Sequence, residues 1–111
     1  MKSETGKRKK ISLNGKQKKF LRGLGHHLEA VVYVGREGFS ENLTETARSA
    51  FRTRELIKVK LGPNCTVPKQ EAAERLAEIT GAVLVQLIGR TILLYLPNRK
   101  MNPAQRISLP V

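Results

Sequence analysis

Val31-Val32-Tyr33-Val34-Gly35-Arg36-Glu37-Gly38-Phe39-Ser40 is the stretch on which the reading of this chain turns. Its first four residues are β-branched or aromatic and stop at a glycine, which predicts a short strand over Val31–Val34. Ser40 is a residue type that caps helix N-termini. Behind it Leu43, Ala47, Ala50 and Phe51 recur at helical spacing, so a helix is expected over about 41–53. A strand that passes through a four-residue glycine-bracketed loop into a helix is the first half of a β-α-β unit. Leu56–Leu61, apolar but for Lys58 and Lys60, supplies the second strand, and Gly62-Pro63-Asn64 breaks it.

Downstream the punctuation is sharper. Pro68 stands near the first turn of a third helix and Gly81 lies just past its end, with Ala72, Leu76 and Ile79 toward the core. Val83–Ile88 and Thr91–Leu96 are two apolar strands separated only by Gly89-Arg90, the length and composition of a two-residue hairpin with glycine first. Upstream, Asn14 can cap a first helix over about 14–27. Phe20, Leu24 and Leu28, with Leu21 beside them, form its expected apolar stripe. The order is therefore α-β-α-β-α-β-β, a two-layer α/β sandwich on a mixed four-stranded sheet whose strand-helix-strand units cross over right-handedly.

One domain is expected, over residues 12–97. Residues 1–11, with the block Lys7-Arg8-Lys9-Lys10, read as a disordered basic arm, and residues 98–111 as an irregular tail. The 111 residues carry 21 Lys and Arg against 9 acids, all glutamate, for a formal charge of +12. A field of that sign attracts polyanions: nucleic acid or an anionic membrane surface. No apolar run approaches the roughly 20 residues of a membrane span. The basic first ten residues contain no secretory core, and the lone Cys65 cannot close an internal disulfide, so a cytoplasmic location is expected.

Strands 1, 2 and 3 should run the same way and deliver Gly35–Gly38, the loop after Leu61 and Arg90 to one edge of the sheet. Ligands of open α/β sheets gather at such an edge. Gly35 and Gly38 allow positive φ and a close backbone approach. The N–H groups of helix 2 and its dipole favour a phosphate there, with Arg36 as side-chain partner and Glu37 as an opposing charge. The same four residues also suit an ordinary tight turn into a helix. Helix 1 joins strand 1 through a short connection, so it is expected antiparallel to it, with Lys16, Lys18 and Lys19 at the same edge. Lys19, Arg22 and His26 form a basic stripe on it; a solvated helix face is the plainer reading. Arg48, Arg52 and Arg54 should lie at the opposite edge.

Catalytic chemistry finds little support. His26-His27 has no HExxH or Cys/His company, Cys65 has no evident activating partner, and the glutamates fall on helix faces. No phosphate-binding Walker loop or dinucleotide fingerprint occurs. No cofactor, metal or small-molecule substrate is expected. The five aromatic residues, Phe20, Tyr33, Phe39, Phe51 and Tyr95, are mostly read as core, which argues against an aromatic stacking platform on the sheet.

The segments Leu13–Lys18, Leu24–Leu28, Val34–Gly38, Glu55–Lys60, Gly89–Tyr95 and Arg106–Pro110 together resemble the CRM domain (chloroplast RNA splicing and ribosome maturation), in particular the bacterial stand-alone YhbY-like proteins. The resemblance implies a fold similar to the C-terminal domain of translation initiation factor 3, with strand order 1-2-4-3. It also implies RNA binding through a GxxG loop like that of KH domains. It further implies association with precursors of the large ribosomal subunit, as an assembly factor and not as an enzyme. On that reading the RNA-binding residues are Gly35, Arg36, Glu37, Gly38, Lys16, Lys18, Lys19, Arg22, His26 and Arg90, on a monomer. A structural ribosomal protein or a protein-interaction adaptor is the alternative. Membrane attachment through the basic arm is weaker, because the arm has no apolar residues to insert.

Overall fold

The computed structural model describes residues 11–111. The expected arm therefore lies, but for Ile11, outside the described residues. The elements are α1 (Gly15–Gly25), β1 (Ala30–Val34), α2 (Glu41–Ala50), β2 (Leu56–Leu61), α3 (Lys69–Thr80), β3 (Val83–Ile88), β4 (Thr91–Tyr95) and a short 3-10 turn, Pro103–Gln105.

Each helix begins and ends where its chemistry dictates. Asn14 and Gln17 form a reciprocal capping box: the Asn14 side chain accepts from Gln17 N at 2.8 Å, and Gln17 Oε1 accepts from Asn14 N at 3.0 Å. Ser40 Oγ accepts from Leu43 N and opens α2. Gly81, at φ +80°, ends α3 in the left-handed conformation, and its N–H donates to Ala77 O.

The four strands stand in the order β1-β2-β4-β3, with β1 parallel to β2 and β4 antiparallel to both its neighbours. Strands β1, β2 and β3 consequently share one direction. The β2-α3-β3 unit does not pair its own strands, because β4 folds back between them. Gly89 takes φ +56° in the two-residue turn that permits this.

Alternation along the strands assigns the two faces. Ile57, Val59 and Leu61 of β2 join Val32, Val34, Ile92 and Leu94 in the main core, under α2 and α3. That pair of helices and the sheet make the two-layer sandwich. Leu56 of β2 faces the other way and packs with Val85, Leu93 and Tyr95 against Leu21 of α1. Lys58 and Lys60 lie on this second face by the same alternation.

Helix α1 seats itself differently from the expected stripe. Leu21 is 0% exposed, whereas Phe20 and Leu24 are 40% and 36% exposed. The buried partner of Leu21 one turn on is Gly25, set so close to the sheet that a Cβ there would stand 2.8 Å from Leu93 Cδ2. A glycine in the middle of an apolar stripe looks like a gap in the sequence; here it lets the helix backbone come close to Leu93. The C-terminal segment completes this second layer, with Ile107 and Leu109 packed beside Leu13, Leu21 and Leu28.

Glu55, just ahead of β2, holds that segment in place. Its carboxylate is 2% exposed and accepts from Asn98 N at 2.6 Å, Ile107 N at 2.6 Å and Arg106 Nε at 2.9 Å. Burial alone would raise its pKa. The two backbone donors and the Arg106 guanidinium outweigh that and hold it below the ordinary value. The tail over 98–111 lacks long secondary structure but is pinned to the fold at Asn98 and again at Arg106 and Ile107.

Candidate nucleic-acid interface

The three loops at the C-terminal ends of β1, β2 and β3 are bonded to one another. Gly62 N donates to Val34 O at 2.8 Å, and Arg90 Nη1 donates to Gly62 O at 3.2 Å. Gly35–Gly38 closes as a turn, with Gly38 N donating to Gly35 O at 3.1 Å. Gly38 is buried, takes φ +65° and rests against Val67 of the loop after β2. Gly35 has no positive φ, and no atom lies within 4 Å of where its Cβ would be. Nothing in the fold requires glycine at 35; the space in front of it is open.

A shallow cleft of about 370 Å³ runs from this turn along the first turns of α2, lined by Tyr33, Arg36, Gly38, Ser40, Asn42 and Thr46 among others. Ser40 occupies Leu43 N, while Glu41 N and Asn42 N have no protein acceptor among the described residues. Glu37 lines the cleft and Glu41 stands in the first turn of α2, and their charges partly cancel the dipole that would draw an anion. Positive charge comes from Arg36 and, across the rim, from Arg90.

A second cleft of about 160 Å³ opens below the β3-β4 turn. Arg22 and His26 from the last turn of α1 line it with Lys58, Gln86, Ile88 and Thr91. The expected polarity of α1 is thereby corrected: its last turn, not its first, approaches the rim. Gln17 near the start of the helix is instead tied to the tail, Nε2 donating to Pro110 O at 3.0 Å. The reason lies in register. Ala30 pairs with Lys58, so β1 starts partway along β2, and α1 packs over β2, β4 and β3 with no need to run back along β1. Of the sequence-derived residues, Gly35, Arg36, Glu37, Gly38 and Arg90 stand together at the rim, and Arg22 and His26 border it. Lys16, Lys18 and Lys19 sit on the far part of α1, accessible but set apart.

The cations on this side have no acidic partner among the described residues. Among the described residues the ion pairs are Arg52–Glu45, Arg75–Glu71 and Arg106–Glu55, none of which includes Arg22, Arg36, Lys58, Lys60 or Arg90. The arginines late in α2 differ, being partnered where solvation was expected: Arg52 pairs with Glu45, and Arg48 Nε donates to Ile79 O at the end of α3. Among the described residues no group of three His, Cys, Asp or Glu side chains is placed to hold a metal ion. No helix among them is long and apolar enough to cross a membrane.

Tyr33 is the residue sequence reasoning missed. Phe51 and Tyr95 are buried, and Phe39 lies beneath the Arg75 guanidinium at 4.4 Å, but Tyr33 is 65% exposed. The signal was the run Val32-Tyr33-Val34: with both valines in the main core, alternation sends the tyrosine to the other face.

The model of the CRS1/YhbY (CRM) domain matches residues 13–95, spanning every helix and strand just described. The chain belongs to the CRM domain family. Among CRM relatives, the Bacillus subtilis protein YqeI, named a probable RNA-binding protein, is 41% identical over 98 residues, which cover 88% of this chain and 99% of that one. A Haemophilus influenzae protein named RNA-binding protein is 37% identical over 99 residues, covering 89% and 96%. The solution structure of SAV1595 from Staphylococcus aureus has this CRM fold, with a TM-score of 0.72 at 39% identity over 89% of this chain and 100% of that one.

Proposed function

We propose that this CRM protein binds RNA without catalysing a reaction on it, and that its target is ribosomal RNA in precursors of the large ribosomal subunit, where it acts as an assembly factor. The observation that carries the reading is the rim. Three bonded loops present Arg36 and Arg90, and Arg22, Lys58 and Lys60 flank them on the α1 face of the sheet, none paired with an acid among the described residues. Cations with no acidic partner among the described residues, gathered on one side of a +12 chain, suit a ribose-phosphate backbone. The names of its relatives agree with RNA as the ligand. Phosphate contacts position an RNA more than they specify its sequence, so discrimination between sequences should be modest.

Affinity for RNA measured against salt tests the reading. Neutralising about 5 phosphates gives a log–log slope of roughly −3.5 to −4.5; a flat response overturns it. Arg22→Glu, Arg36→Glu and Arg90→Glu together should abolish binding, while Arg52→Glu with Arg54→Glu at the far edge should change it little. Sucrose-gradient fractionation tests the ribosomal part. Substoichiometric protein enriched with large-subunit precursors is expected. Full occupancy of mature ribosomes would instead identify a structural ribosomal protein.

A further inference from the structure

We infer that the uncovered half of the α1 face of the sheet is a stacking site for an unpaired base, with Tyr33 as its platform and Lys60 beside it for the phosphate. The inference rests on the RNA-binding reading and adds the kind of RNA: single-stranded.

Register puts the site together. Tyr33 pairs with Lys60, Lys60 with Thr91, and Thr91 with Ile88, so one row of side chains crosses all four strands on one face. At a strand spacing of about 4.8 Å the row is roughly 14 Å long. Helix α1 stops short of it: Gly25 covers Leu93, one row further in, and Leu21 covers Leu56 and Tyr95 beyond that. The face is open at this row: Tyr33 is 65% and Ile88 61% exposed at its two ends, Lys60 is exposed and Thr91 half-buried between them, and Tyr33, on the edge strand, also borders the cleft along α2.

An exposed tyrosine ring on a sheet costs a soluble domain apolar exposure and returns nothing to its core. Its neighbours identify the partner. Lys60 stands next to it, Lys58 lies one row in beside Arg22 and His26, and the turn Gly35–Gly38 begins two residues after it. An apolar protein partner would sit poorly among those cations. A nucleotide matches both features, its base on the ring and its phosphate on the lysine. A duplex keeps its bases stacked on one another and offers the ring no face, so the ligand has to be unpaired.

Fluorescence anisotropy with a labelled 12-nucleotide single-stranded RNA and a 12-base-pair RNA duplex tests this. Tyr33→Ala should weaken single-strand binding roughly 5- to 150-fold, the range of one lost base–aromatic stack, and leave duplex binding within about twofold. Tyr33→Phe should keep the parent affinity, and Tyr33→Leu should behave like Tyr33→Ala although it restores apolar bulk. Tyr33 and Tyr95 are the two tyrosines, there is no tryptophan, and Tyr95 is buried, so single-stranded RNA should quench intrinsic tyrosine emission in the parent and not in Tyr33→Leu. Unchanged single-strand affinity in folded Tyr33→Ala and Tyr33→Leu refutes the stacking site. If the rim substitutions still weaken binding in that case, the RNA-binding reading survives without it; if the parent chain binds neither RNA, both fall together.

Discussion

Replacing Glu55 with glutamine should unfasten the C-terminal segment and cost the fold about 2–4 kcal/mol. The carboxylate serves three donors: Oε2 takes Asn98 N and Arg106 Nε, and Oε1 takes Ile107 N. A glutamine has the same shape but only one acceptor oxygen. If that oxygen takes the place of Oε2, its amide group points at the Ile107 N–H, and a donor is left facing a donor. One unsatisfied buried group costs about 1–3 kcal/mol, and the remaining bonds lose the strengthening that a charged acceptor gives them. Arg106 is one-third exposed, so water takes up part of its lost pairing and keeps the total below the upper limit for breaking a buried ion pair. With an unfolding entropy of about 2.1 cal/mol/K per residue, 2–4 kcal/mol lowers the midpoint of a chain this size by about 9–17 °C. Calorimetry on the parent and Glu55→Gln measures it. Acid should separate them as well. A carboxyl whose pKa is lowered by folding adds stability above its unfolded value and loses it as the pH falls through the folded one. The parent should therefore shed stability on acidification below the ordinary carboxylate range, and the variant should lack that component. A midpoint within about 2 °C of the parent, or identical acid profiles, would refute the account of Glu55 as the clasp of the tail.

Gly38→Ala should destabilise by about 1–2 kcal/mol, because φ +65° strains any residue with a Cβ. Gly35→Ala should be close to neutral in stability, and a loss of RNA affinity there, seen in the same anisotropy assay, would report close approach of ligand to backbone. Leu21→Ala should cost about 2–5 kcal/mol in urea titrations, whereas Leu24→Ala should cost under about 1 kcal/mol, reversing the order a simple apolar stripe would give.

Much of the fold was legible because local chemistry and long-range packing agree. Ser40, Pro68 and Gly81 punctuate their helices as their types require, and Gly89-Arg90 has room for nothing but a hairpin. The glycine-bracketed loop falls between β1 and α2 as read. Helix α1 was the exception. Phe20 and Leu24 are more hydrophobic than Gly25, and no periodicity rule credits a glycine for letting a backbone approach Leu93. Its direction across the sheet depends on where β1 starts relative to β2, a register that the sequence of neither strand contains. The tail carries no local sign of its anchor, because that anchor is Glu55, 43 to 52 residues away along the chain. Residue type alone does not separate Tyr33 from the core aromatics; its two valine neighbours carry that signal.

The strand order carries a consequence for biosynthesis. While residues 1–82 emerge from a translating ribosome, only β1 and β2 exist, a bare two-stranded ribbon with Ile57 and Val59 lacking their neighbours on one side. The strand that seals its flank is β4, Thr91–Tyr95, which follows β3 in the chain. Closure must wait for a distant segment, so a nascent chain ending before about residue 90 keeps an unsealed sheet edge, a template for pairing with another chain.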